Sequence, residues 1–129
     1  CSDFYLYADD HEYATRMDER GVSQFLVHSA RIDDIDVSLR AGSTVLSPEF
    51  STFRLYYQFR NHTHLSQRFV RSRRAYAANK FFFIAWTTAK AWRAWRADPK
   101  GTLQRWRLLL DAVGDGEAAR LGRTFVGRE

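Results

Sequence analysis

An aromatic run, Phe4-Tyr5-Leu6-Tyr7, empties into three carboxylates and an imidazole within four residues, Asp9-Asp10-His11-Glu12. Asp3–Tyr7 has the composition of a short buried strand or extended segment. Tyr13 and Met17 then share a face at i, i+4, acidic residues crowd the first turn, and Gly21 stands where a left-handed residue would stop a helix. The pattern predicts extended backbone followed by a helix over about Asp10–Arg20. Such a handover constrains the local fold more tightly than any other feature of this chain. Rigid elements on both sides fix where the side chains between them point, and chemistry is often placed there.

Two readings of that cluster stand side by side. With Asp9 as N-cap and Glu12 three residues on, it is a capping box, which satisfies two orphan amides and needs no chemistry. Alternatively one carboxylate is a general base, held near a reacting hydroxyl. Crowding three carboxylates raises the proton affinity of at least one, in the direction a base requires. The readings are compatible: Glu12 can cap while Asp10 acts.

Length and charge bound the rest. At 129 residues the chain suits one domain with a real core. Residues 1–53 carry ten acidic and four basic side chains, and residues 54–129 carry five and sixteen. The first part therefore suits a metal ion or a proton, and the second suits phosphates, whether of lipid, nucleotide or nucleic acid. The single cysteine, Cys1, excludes an internal disulfide framework and a multi-cysteine zinc site. No basic leader or apolar signal segment opens the chain. A start at Cys1, directly before an expected core strand, predicts that an amino-terminal portion of a longer protein precedes it.

Further along, Phe25-Leu26-Val27 and Arg31-Ile32 read as strand, closed by Asp33-Asp34-Ile35-Asp36. Those carboxylates, with His28 nearby, suit a hard cation such as Mg²⁺ or Mn²⁺, or form a solvated acidic turn. Val37–Ser51 loses periodicity and reads as a long loop of the lid or binding type. Phe53, Tyr56, Tyr57, Arg60 and His64 then recur on one helical face. A second helical stretch is expected from about Ser66 to Arg96. Asp98–Gly101 reads as a turn, and Thr102 as the cap of a helix ending near Gly114.

The stretch from Ser66 to Trp95 interleaves arginine and lysine with Phe and Trp, but its apolar run is too short and too interrupted to cross a membrane. Basic helices rich in aromatics lie in the headgroup region, which makes Trp86, Trp92, Arg93 and Trp95 candidate contacts to an anionic membrane surface. The same aromatics could instead be ordinary core, or a stacking surface for nucleic acid. No RNP, zinc-finger or helix-turn-helix signature supports the nucleic-acid alternative.

Taken in order, these motifs resemble a known family. Phe4 to Tyr13 resembles the aromatic-x-Asp-Asp-x-Glu-aromatic motif of family 2 glycosyltransferases with the GT-A fold. Arg16, Gly21, Asp34-Ile35-Asp36 and Tyr56-Tyr57-Gln58-Phe59-Arg60-Asn61 follow in the family's order. The flavour is most similar to galactofuranosyltransferase-like and cell-surface polysaccharide enzymes, over about residues 3–75.

The resemblance implies an α/β fold: residues 1–52 as the carboxy-terminal part of a Rossmann-like GT-A domain, and 53–129 as a mostly helical region at the membrane interface. It implies an inverting transfer from a nucleotide-sugar donor to a glycan or lipid-linked acceptor. Asp10 would be the catalytic base, Asp9 and His11 would seat the acceptor, and Glu12 would brace the helix. Asp34 stands where many relatives carry a metal-ligating His, and a divalent metal, Mn or Mg, is implied as cofactor. Arg60 and Asn61 match the signature without a role that sequence can supply. The implied location is cytoplasmic and peripheral, at the inner face of the cell membrane, with no nucleic acid as partner. The donor-binding unit, with its own Asp-x-Asp, would precede Cys1, so the 129 residues alone are expected to turn over little or nothing.

Overall fold

The computed structural model describes residues 8–25, 27–31 and 44–124. Among them the chain is helical, with α1 at Asp9–Glu19, α2 at Thr52–Phe69, α3 at Arg73–Lys90, α4 at Trp92–Ala97 and α5 at Pro99–Glu117. No strand occurs among the described residues, which overturns the α/β, GT-A-like expectation for them. Phe25 is 87% exposed and Val27 61%, and Ala30 N–H closes a turn on the Val27 carbonyl at 3.1 Å. A lone apolar run becomes a strand only when a neighbour satisfies its backbone, and here the described residues form no such ladder. The expected strand at Asp3–Tyr7, and Leu26, Ile32 and Asp33–Asp36, lie outside the described residues.

Helix α1 forms where expected, but its start is built differently. Ala8 is the N-cap, in the left-handed region at φ 64°, so Asp9 is already helical and cannot cap. The capping box with Glu12 is therefore not made. Instead Asp10 Oδ1 accepts the His11 N–H at 2.8 Å, and the Glu12 carboxylate turns to Arg16 Nε at 3.2 Å. At the other end Gly21, at φ 72°, donates to the Asp18 carbonyl and Val22 to that of Met17, a Schellman closure.

The core lies between α2 and α5. Tyr56, Tyr57, Phe59 and Leu55 from α2 meet Leu109, Ala112 and Val113 from α5. Phe50 lies near Arg105 and Tyr56 near Asp115, so the two helices run in the same sense. Gly116 permits their closest approach: a Cβ there would run into the Arg60 carbonyl oxygen and the Thr63 side chain. Backbone cannot move aside cheaply, so Gly116→Ala is expected to lower stability by about 1–3 kcal/mol, read as a lower urea midpoint. An unchanged midpoint would show that the helices can separate without loss.

The segment expected to act as a lid is, over 44–51, a plug in this core. Leu46 and Phe50 are buried, Ser47 Oγ accepts the Thr44 N–H at 3.0 Å, and Arg105 of α5 donates to the carbonyls of Phe50 and Pro48. Val37–Ser43 lies outside the described residues. The long helix expected over Ser66–Arg96 breaks twice. Val70 leaves helical geometry at ψ 103°, Ser72 caps α3 by accepting the Ala75 N–H at 3.3 Å, and a second break falls at the fully buried Ala91. Helix α5 is capped at Asp98, four residues before the expected Thr102. Asp98 Oδ1 accepts the Gly101 N–H at 3.0 Å with Pro99 in the first turn, and Thr102 is buried within the helix.

Helix α3 runs antiparallel to α5 and stands off from it. Its first turns meet the end of α5, where Tyr76 OH and Lys80 Nζ reach Glu117 at 2.9 and 2.5 Å. Its last turn meets α5 nearer the start, where Trp106 Nε1 donates to Thr88 Oγ1 at 3.0 Å.

Candidate functional site

The three carboxylates of the first turn of α1 are sorted by burial. Glu12 is 2% exposed and tied to Arg16, whereas Asp9 and Asp10 are exposed. Together with Tyr13 and Arg16 they line an open cleft of about 390 Å³. Asp10 uses one oxygen on its neighbouring amide and still faces solvent, an arrangement that can accept a proton from a bound hydroxyl.

His62 of α2 joins this cluster. Its ring lies 5.7 Å from that of His11, at a tilt of 57°. Burial, and then the charge on His11, push the His62 imidazole below its ordinary range, with Asp10 pulling the other way. Sequence reasoning passed over His62 because it falls off the face carrying Phe53, Tyr56, Tyr57, Arg60 and His64. Tyr56, Tyr57 and Arg60 of that face are buried, whereas His62 is exposed and stands beside His11 of α1. Glu19 of α1 and Arg68 of α2 make a second, exposed contact at 3.7 Å.

The Tyr-Tyr-x-x-Arg-Asn signature forms a structural knot. Arg60 is fully buried, its guanidinium over the Tyr57 ring at 4.7 Å and the Tyr56 ring at 5.7 Å. Nε donates to Asn61 Oδ1 at 2.9 Å, and Nη1 to the Gly122 carbonyl and Thr124 Oγ1 at 2.7 and 2.9 Å. Tyr56 OH donates to Asp115 at 2.7 Å. Arg60 and Asn61 thus bind α2 to the segment beyond α5. Neither residue lines the carboxylate cleft.

A second charged site closes the α3–α5 contact. Burial alone would raise the Glu117 carboxyl, but hydrogen bonds from Lys80 and Tyr76 outweigh it and hold the group below its ordinary 4.5. Tyr76 is pushed well above the usual phenol range by burial and by Glu117. A carboxyl with a depressed folded pKa adds stability above its unfolded value, and that stability is lost as pH falls through the folded one. Acid unfolding below pH 4.5 is therefore expected to be shallower for Glu117→Gln than for the parent chain. Equal slopes in a circular-dichroism titration would remove this contact from the acid response.

The aromatics of the basic half divide. Trp95 and Trp106 pack against the core. Phe81, Phe82, Trp86 and Trp92 are half or more exposed, and Arg93 is exposed beside them. Phe82 and Trp86 stack at 6.2 Å, Lys90 lies 4.6 Å over Trp86, and Arg96 lies 4.6 Å over Trp92. No helix among the described residues is long and apolar enough to cross a membrane. Among them, too, no three His, Cys, Asp or Glu side chains gather to hold a metal ion, and Asp34 lies outside them. The described residues therefore do not supply the implied metal site. Compared with family models, curated proteins and solved structures, the chain matches none.

Proposed function

We propose that the chain carries the acceptor side of an inverting sugar transfer, with Asp10 as the base. The acceptor hydroxyl gives its proton to the Asp10 carboxylate as its oxygen bonds to the anomeric carbon of a nucleotide sugar. The bond from that carbon to the diphosphate breaks, and the nucleoside diphosphate leaves with the electron pair. Asp9 and His11 flank the acceptor, while Glu12, neutralised by Arg16, is a buried part of the cleft wall. A divalent ion would accompany the donor diphosphate on residues other than those described, and no step assigned to this chain passes through it.

The supporting observation is the sorting of the acidic cluster. One carboxylate is consumed by structure, and two are left open to a cleft at the start of a rigid helix. The order of the motifs, which resembles family 2 glycosyltransferases of cell-surface polysaccharide synthesis, supplies the reaction class. The exposed face of Phe82, Trp86 and Trp92, with Lys90, Arg93 and Arg96, would seat the protein peripherally on anionic headgroups. The test is Asp10→Asn in the full-length protein, assayed for sugar transfer. Near-parental turnover would end the assignment of the base.

A further inference from the structure

The tight packing of α2 on α5 and the stand-off of α3 leave a cavity of about 330 Å³ between the three helices. Its apolar wall is Phe59, Phe83, Ile84 and Val113, and Asn79 and Lys80 stand among its polar residues. The volume is at the small end for ligand sites, enough for a segment of an apolar chain. Lys80 is already neutralised by Glu117, so the lining offers no unpaired cation to hold a phosphate within the cavity itself. Phe83, 44% exposed, lies 5.3 Å from Phe59 at the cavity mouth, and Trp86, three residues on and so on the same side of α3, stacks with the exposed Phe82. The cavity and the stripe are thus continuous along one helix. On the same helix and on α4, Arg73, Arg74, Lys90, Arg93 and Arg96 have no carboxylate partner among the described residues.

We infer that this cavity takes one acyl chain of an anionic membrane lipid, with the phosphate left among the cations of α3 and α4. Surface aromatics alone give shallow, reversible contact, whereas a chain drawn into a protein cavity adds an apolar contact that depends on the shape of the cavity. The inference builds on the membrane-facing part of the proposed function; one lining residue, His62, also stands beside His11, and the test below uses no variant of the carboxylate cluster.

The probe is dodecyl phosphate below its micelle concentration, titrated calorimetrically into the full chain, with inorganic phosphate and dodecyl maltoside as comparisons. One saturable site is expected for dodecyl phosphate, none for inorganic phosphate, and roughly tenfold weaker binding for the maltoside. Asn79 is exposed at the cavity, so Asn79→Trp can block it without disturbing the core, and should weaken dodecyl phosphate by at least about tenfold. Ser66→Leu, from the α2 side of the cavity, is the second blocking variant and should behave alike. Phe81→Ala, at an exposed aromatic that does not line the cavity, should leave this site intact while weakening adsorption to anionic phospholipid vesicles. Unchanged binding in both blocking variants, non-saturating uptake, or an equal loss in Phe81→Ala would overturn the cavity site. Equal affinity for the maltoside would overturn the phosphate requirement. Because no donor or acceptor is present, failure here leaves the Asp10 test untouched, and the reverse holds as well.

Discussion

Arg60→Ala is expected to lower unfolding stability by about 3–5 kcal/mol, a large share of what a domain of this size has to lose. Arg60 is among the largest fully buried side chains, and it holds three hydrogen bonds to Asn61, Gly122 and Thr124. Truncation removes those bonds, exposes the Tyr57 face to a void, and frees the segment beyond α5 from α2. Arg60→Met separates the contributions. Methionine refills most of the volume, and Gly122 and Thr124 lie close enough to the surface for water to take over their oxygens. It also removes a buried cation whose Nη2 has no partner and which pairs with no carboxylate among the described residues. The methionine variant should therefore lose roughly 1–2 kcal/mol by urea unfolding, less than half the alanine loss. If both lose equally, the guanidinium's bonds, and not its bulk, hold the knot.

Helices α1 and α2 were legible because amphipathic spacing and a glycine stop are local properties. Phe53, Tyr56, Tyr57 and Arg60 follow a 3.6-residue period that needs no knowledge of the partner. In α1 the acidic first turn and Gly21 were the better guides, since Tyr13 is 54% exposed and Glu12 is the residue buried. Strand is not local in this way. Phe25 and Val27 have the right composition, but a ladder needs a second segment, and none of the described residues provides it. The break at Val70–Ser72 was missed because the hydrophobic pattern runs through it. The Ser72 cap was the available signal, a serine three residues before the amide it accepts from.

The site was half legible. Composition located the acidic cluster, but it could not say which carboxylate would be buried. Sequence logic gave the capping role to Glu12 and the chemistry to Asp10. In the structure Asp10 serves an amide while remaining exposed, and Glu12 is the one withdrawn. His62 was invisible because its meeting with His11 is tertiary, made across two helices. The aromatics of α3 and α4 were open between core and surface. They divide because α3 is amphipathic only weakly, which leaves Phe81, Phe82 and Trp86 outside whichever face packs inward.

Asp10→Asn is expected to lower turnover by about 10²–10⁴-fold in the full-length protein with little change in fold, the range lost with a general base. Asparagine keeps the oxygen that accepts the His11 amide, so the helix start survives, and an exposed change of this kind costs within about 0.5 kcal/mol. What it cannot do is take a proton from the acceptor hydroxyl. Glu12→Gln should do the reverse. Losing the charge opposite Arg16 in a buried setting costs about 1–2 kcal/mol of stability, while the Asp10 carboxylate remains for the reaction. Measuring both variants for both quantities gives two opposite pairs of results if one carboxylate reacts and the other supports. Matching losses of stability without loss of turnover would make the cluster a helix start and nothing more. Loss of turnover in both, at unchanged stability, would mean that the buried Glu12 shares the proton, and that Arg16 tunes it.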